Sequence, residues 1–147
     1  MQFTRTADYA VRAMMYLAGR AKATRARVAE VAAAADVPPS LMSKILQRLA
    51  SAHLVVSYRG KEGGFELARP AAEISLLDVL VAIEGPLCLN MCLLSGDACD
   101  RRPWCAAHLV WAEVQKKMAA ALGAASLAEL ARVSASRRAA LGAGSRP

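Results

Sequence analysis

The sequence predicts a mainly α-helical fold with one small β-hairpin: a winged helix-turn-helix DNA-binding domain followed by a long dimerisation helix. Three observations carry this expectation. An apolar stripe at helical spacing fills the first twenty-one residues, two short helical patterns flank "DVPPS", and a β-branched run is followed at once by the glycine-rich "RGKEGG". At 147 residues and 56% hydrophobic content, the chain can bury a core in one compact domain with an appendage, with no need of disulfides.

Each element has its own reason. Apolar residues at 7, 10, 11, 14, 17, 18 and 21 mark a first helix that stops near Gly19. Thr24 can cap a second helix with Val28, Val31, Ala32 and Ala35 on its inner face, and two prolines then end it. The segment "SLMSKILQRLASAHL" begins a third, in which Leu41, Ile45 and Leu49 recur every four residues. This leaves Ser40, Ser43, Lys44, Gln47 and Arg48 on the opposite face, the small polar and basic set expected of a recognition helix in the major groove. "LVVSY" and "FELA" read as two strands around a glycine turn, and Arg59 and Lys61 at its tip suit contacts to the DNA backbone.

Beyond the hairpin, "SLLD" resembles a capping box and opens a short helix to about Ile83, which "EGP" terminates. Pro103 can occupy the first turn of a long helix, whose apolar side is Ala107, Val110, Trp111, Val114, Met118, Ala121 and Leu122. With little chain left to cover that side, pairing with the same helix of a second subunit is favoured over packing within one chain. "SLAE" at 126–129 caps a last short helix. The expected organisation is residues 1–83 as the DNA-binding domain, 84–103 as a cysteine-rich loop, 104–132 as dimerisation and terminal helices, and 133–147 as a disordered tail.

Charge points to the partner. Residues 1–70 hold eleven Lys and Arg against five Asp and Glu, a net of +6, whereas residues 71–147 hold eight against seven, a net of +1. A basic N-terminal half suits a polyanion, and after a helix-turn-helix and a wing that polyanion is double-stranded DNA. Arg5, Asp8 and Arg12 interrupt the first apolar stretch, so no secretory signal is read. No run is long enough for a membrane span. The expectation is a cytoplasmic protein whose thiols stay reduced.

All four cysteines lie in "CLNMCLLSGDACDRRPWCAAH", residues 88–108, spaced C-x3-C-x6-C-x5-C, with His108 three residues after Cys105 on a neighbouring position of one helical face. In a reducing compartment such a cluster points to metal or redox chemistry. Structural zinc sites favour paired C-x2-C or C-x4-C knuckles, which this spacing lacks except for the loose step from Cys88 to Cys92. An iron–sulfur cluster held by three thiolates and a fourth ligand is the competing reading, with inert thiols third. An enzyme built on a cysteine nucleophile and His108 would need an orienting third group and a pocket-forming second domain, and neither is legible. His53 reads as a helix-end residue, and Trp104 and Trp111 as packing groups.

From residue 1 to about 131 the chain resembles the Rrf2 family of bacterial winged-helix regulators. The resemblance is carried by "FTRTADYAVRAMMYLA", "SKILQRLASAHLV", "RGKEGGFELARPAAEISLLDVLVAIEG" and the cysteine loop. It implies a homodimer that binds palindromic promoter operators and holds an iron–sulfur cluster through three cysteines of the loop. Cys92, Cys99 and Cys105 match that triad and Cys88 lies outside it. "CAAHLVW" is similar to IscR-type members, which implies His108 as fourth ligand of a [2Fe–2S] cluster. NsrR-type members instead use an N-terminal aspartate at a [4Fe–4S] cluster, and Asp8 of "TADYA" stands at the matching position, which implies a ligand reaching across from the partner subunit. The first interval of six departs from the five of IscR-type members. The implied function is regulation of transcription in response to iron–sulfur status, nitric oxide or redox stress. A structural zinc, or no metal at all, is the alternative for the loop.

Overall fold

A computed structural model describes residues 3–21, 24–94 and 99–143. Helix α1 (Arg5–Ala18) begins where the Thr4 hydroxyl accepts the Ala7 N–H at 3.2 Å, and it buries Ala7, Ala10, Ala13, Met14 and Leu17. Helix α2 (Val28–Ala35) starts later than a Thr24 cap would place it. Residues 25–27 are extended because Ala26 pairs with Phe65, each N–H donating to the other's carbonyl at 2.9 and 2.8 Å. Thr24 donates its hydroxyl to Ala21 instead, and the Glu30 carboxylate accepts the Arg27 N–H at 2.6 Å to close the first turn of α2.

Helix α3 (Pro39–Ser51) takes Pro39 in its first turn, where the missing N–H costs nothing. It buries Met42, Ile45, Leu46 and Leu49. Both α2 and α3 end by the same device. Asp36 and His53 adopt left-handed backbone (φ 57° each), and the next residue, Val37 or Leu54, donates its N–H back five positions at 3.0 Å. His53 is thus a helix-end residue, as its place in the sequence predicts.

Strands β1 (Val55–Tyr58) and β2 (Gly64–Leu67) form the antiparallel wing, with Val55 opposite Leu67 and Tyr58 opposite Gly64. Gly64 has φ 152°, and a Cβ there would sit 2.7 Å from the Ala26 carbonyl oxygen, so the Ala26–Phe65 pairing depends on this glycine. Helix α4 (Leu76–Glu84) is capped reciprocally by Ser75 and Asp78 at 3.1 and 2.8 Å. Burial alone would raise the Asp78 pKa, but its bonds to the Ser75 N–H and hydroxyl and the nearby Arg69 guanidinium outweigh burial and hold it below the ordinary carboxylate value.

Two expectations for the C-terminal part are corrected. The long helix α5 (Ala106–Ala124) starts after Cys105, and Pro103 lies before it in a turn where the Arg102 and Trp104 N–H groups bond to Cys99 and Arg101 carbonyls. The expected disordered tail, 133–147, is helical to Ala143, and residues 144–147 of it lie outside the described residues. Helix α6 (Leu127–Ala143) is rich in the strong helix formers Ala, Arg and Leu, has no internal proline, and packs on α1. Leu76 and Leu127 pin its start to α4 through N–H bonds of 2.8 Å to Ala125 and Ile74, and Leu127 and Ile74 are fully buried. The core is one cluster drawn from α1–α4, the wing and Leu127. Helix α5 contributes no buried residue to it.

Candidate nucleic-acid interface and cysteine cavity

The outward face of α3 is as the spacing predicts: Ser40, Lys44, Gln47 and Arg48 are exposed and Ser43 is half-buried. Arg59 and Lys61 are exposed at the wing tip. Arg48 is the exception to a free reading surface, because its Nη2 donates to the Ile83 carbonyl in the last turn of α4. That contact ties the recognition helix to the element that leads into the cysteine loop.

Two further arginines, Arg25 and Arg27, lie beside the wing turn and were not singled out from the sequence. The Arg25 guanidinium lies 3.7 Å from the Tyr58 ring centroid and donates to the Glu62 carbonyl at 3.1 Å. Arg27 donates to the Lys61 carbonyl at 3.2 Å. Together they clamp the turn between the wing strands. The available signal was their spacing: flanking Ala26 in extended backbone, they point to the same side. Tyr58 donates to Glu66 at 2.6 Å, and this bond, burial and the Glu66 charge raise its pKa, with Arg25 opposing.

At the other end of α4, Gly85 (φ 83°) turns the chain into the cysteine loop. Cys92 sits in a single 3₁₀ turn (Met91–Leu93), Cys105 directly precedes α5, and His108 lies in its first turn. Cys92, Cys99, Cys105 and His108 line one cavity of about 250 Å³, with Arg102 and Trp111 also on its wall. His108 Nδ1 is 3.4 Å from the Cys92 sulfur, and Arg102 Nε donates to His108 Nε2 at 3.3 Å. The Leu89 N–H donates to Gln115 Oε1 at 2.9 Å, which fastens the loop to α5.

The other two candidates stand apart. Cys88 donates its thiol to the Asn90 carbonyl at 3.0 Å and lines a different cavity with Phe3, Leu77, Val81 and Glu84. Asp8, on α1, pairs with Arg12 at 2.6 Å and is not on the wall of its own chain's cysteine cavity, whereas the expected ligation is from the partner subunit.

Three thiols and an imidazole are soft-to-borderline donors suited to iron or zinc. Two such ligands on one tetrahedral ion are separated by about 3.6 Å, given metal–sulfur and metal–nitrogen bonds of about 2.3 and 2.05 Å. The Cys92–His108 separation is close to that edge. Among the described residues no three His, Cys, Asp or Glu groups are already near enough together to hold an ion, so Cys99 and Cys105 must move inward to complete a set. The residues therefore fit a metal centre in chemistry and neighbourhood. Among the described residues no helix is long and apolar enough to cross a membrane.

The Rrf2 family, described as iron-dependent transcriptional regulator, matches residues 3–133. An HTH-type transcriptional regulator of Mycobacterium tuberculosis strain H37Rv is 41% identical over 131 residues, covering 89% of this chain and 81% of the relative. Protein aau3 of Rhizobium meliloti strain 1021 is 39% identical over 97 residues, covering 66% and 62%. Among solved structures, CymR, the global cysteine regulator of B. subtilis, superposes with a TM-score of 0.76 at 22% identity over 90% of this chain and 98% of that one. IscR of T. potens does so at 0.72 and 23% identity, covering 91% and 88%. These likenesses show the winged-helix fold. With a family match over most of its length and a relative of 41% identity named as an HTH-type transcriptional regulator, this chain belongs to the Rrf2 family of DNA-binding transcriptional regulators, not enzymes.

Proposed function

We propose that the protein is a cytoplasmic iron–sulfur regulator that binds a palindromic operator as a homodimer and responds to iron–sulfur status, nitric oxide or redox stress. The observation that carries this is the gathering of Cys92, Cys99, Cys105 and His108 around one cavity at the start of α5, with Cys88 excluded from it. Those four residues would hold a [2Fe–2S] cluster, and a cluster so held supplies a centre that reacts with oxidants and nitric oxide.

The chain's own residues can convert the state of that cavity into a change at the DNA. Ligation would draw Cys99 and Cys105 toward Cys92 and His108 and fix the connection between α4 and α5. Helix α4 carries the Ile83 carbonyl that receives Arg48, so the position of the α4 end is felt by the recognition helix. Exposed Leu109, Val110, Trp111 and Val114 on α5 form the face that would pair with a second subunit. Operator half-sites one helical turn apart, about 34 Å, make affinity sensitive to how the two recognition helices are held. The cluster can shift the equilibrium between dimer geometries only by its differential affinity for them.

A zinc-stapled loop is the second reading, favoured by the same Cys92–His108 separation, which suits a single tetrahedral ion equally well. Alanine substitution in protein purified without oxygen tests the ligand assignment. Loss of visible absorbance in C92A, C99A and C105A, with C88A unchanged, supports it. Full colour in any of the three overturns it.

A further inference from the structure

A cavity of about 680 Å³ lies between α1, the end of α2 and α6, and shares no residue with the recognition face or the cysteine cavity. Four arginines line it: Arg12, Arg20, Arg137 and Arg138. Only one carboxylate, that of Asp36, is on the same wall. Arg12 is engaged by Asp8 at 2.6 Å and by the Ala35 carbonyl at 3.4 Å. Arg20 donates to the Tyr16 hydroxyl at 2.8 Å and the Arg25 carbonyl at 3.3 Å, with Glu30 at 3.8 Å. Its Nε is buried with no acceptor, the one such side-chain nitrogen or oxygen among the described residues. Arg137 and Arg138 are exposed on α6 and make no ion pair within the described residues. Between the cations, Met15, Tyr16 and alanines of α2 and α6 give the wall an apolar floor.

Two exposed guanidinium groups without an ion-pair partner among the described residues, above an apolar surface, describe an amphiphilic anion. The volume lies within the range of small-molecule sites. We propose that this cavity binds a small organic anion, a carboxylate or a phosphate monoester with an apolar body, whose charged end is held by Arg137 and Arg138. The site is independent of the cysteine cavity. It reaches Asp36, the residue that turns α2 toward the recognition helix, so an occupant bridges α6 to the mount of α3.

Calorimetric titration of the full chain with octanoate, phenyl phosphate, inorganic phosphate and neutral octan-1-ol tests this. Saturation by octanoate or phenyl phosphate at one per chain, with no saturation by octan-1-ol, is the expected result, and the probe that binds identifies carboxylate or phosphate as the charged group. Substituting both exposed arginines, R137A with R138A, should weaken that binding about tenfold or more, as loss of a charge-assisted hydrogen bond does. Circular dichroism of the double variant confirms its fold. The proposal is overturned if neither organic anion saturates, if the double variant binds undiminished, or if inorganic phosphate binds as tightly as phenyl phosphate.

Discussion

His53 and Asp36 occupy left-handed backbone without being glycine, so each carries conformational strain at a helix end. Replacing His53 by Gly should remove it and raise the stability to urea unfolding by about 1 kcal/mol, since the N–H bonds that close α3 are backbone bonds and survive the change. An unchanged or lower midpoint would mean that the His53 side chain itself stabilises the helix end. The fourth ligand is also decided at single residues. If His108 is the ligand, His108→Cys keeps a cluster with a lowered reduction potential and Asp8→Ala leaves the visible spectrum alone, because a thiolate in place of a neutral imidazole stabilises the oxidised state. A spectrum altered by Asp8→Ala but not by His108→Ala would transfer that role to Asp8 and favour a [4Fe–4S] cluster.

The wing and α3 act as elements, and their contributions to DNA binding separate by kind of contact. Lys44→Ala or Gln47→Ala should cost about 1–3 kcal/mol where a base contact is lost. Arg25→Ala should leave α3 untouched yet weaken operator binding, because the turn between β1 and β2 then loses its bond at the Glu62 carbonyl and its stacking on Tyr58. Gel shifts across a range of salt measure both, and identical affinity in all three variants would move the interface elsewhere. The same elements show what a sequence discloses. The stripes of α1 and α3 and the Ser75–Asp78 cap were legible because their causes lie within a few residues of each other. The Ala26–Phe65 pairing was not, since a single bridge between distant residues leaves no period, and it displaced the expected cap of α2 from Thr24. The start of α6 at the "SLAE" cap was legible, but its continuation beyond residue 132 was missed because "SASRRAALGA" mixes alanine, serine and arginine without an apolar stripe. The cysteine loop pointed to metal chemistry by its composition, but the choice of Cys92, Cys99 and Cys105 over Cys88 came from family resemblance. Spacing alone does not show that Cys88 bonds to Asn90 and lines a separate cavity.

At the scale of the whole molecule, α5 presents Leu109 at 71%, Val110 at 61% and Val114 at 44% exposure, an apolar face that a chain on its own leaves in water. Val110→Glu with Val114→Glu should place two carboxylates on each side of a subunit interface and yield a folded monomer in sedimentation equilibrium, with operator affinity lost along with the paired recognition helices. A dimer that survives both changes would place the interface elsewhere. The central claim, that the cavity at the start of α5 holds an iron–sulfur cluster that governs the regulator, is tested most directly by metal and sulfide analysis of the wild-type protein purified without oxygen. The account predicts two irons and two acid-labile sulfides per chain for a [2Fe–2S] centre, with visible charge-transfer absorption and no stoichiometric zinc. A colourless protein with one zinc per chain, or with no metal at all, would contradict it.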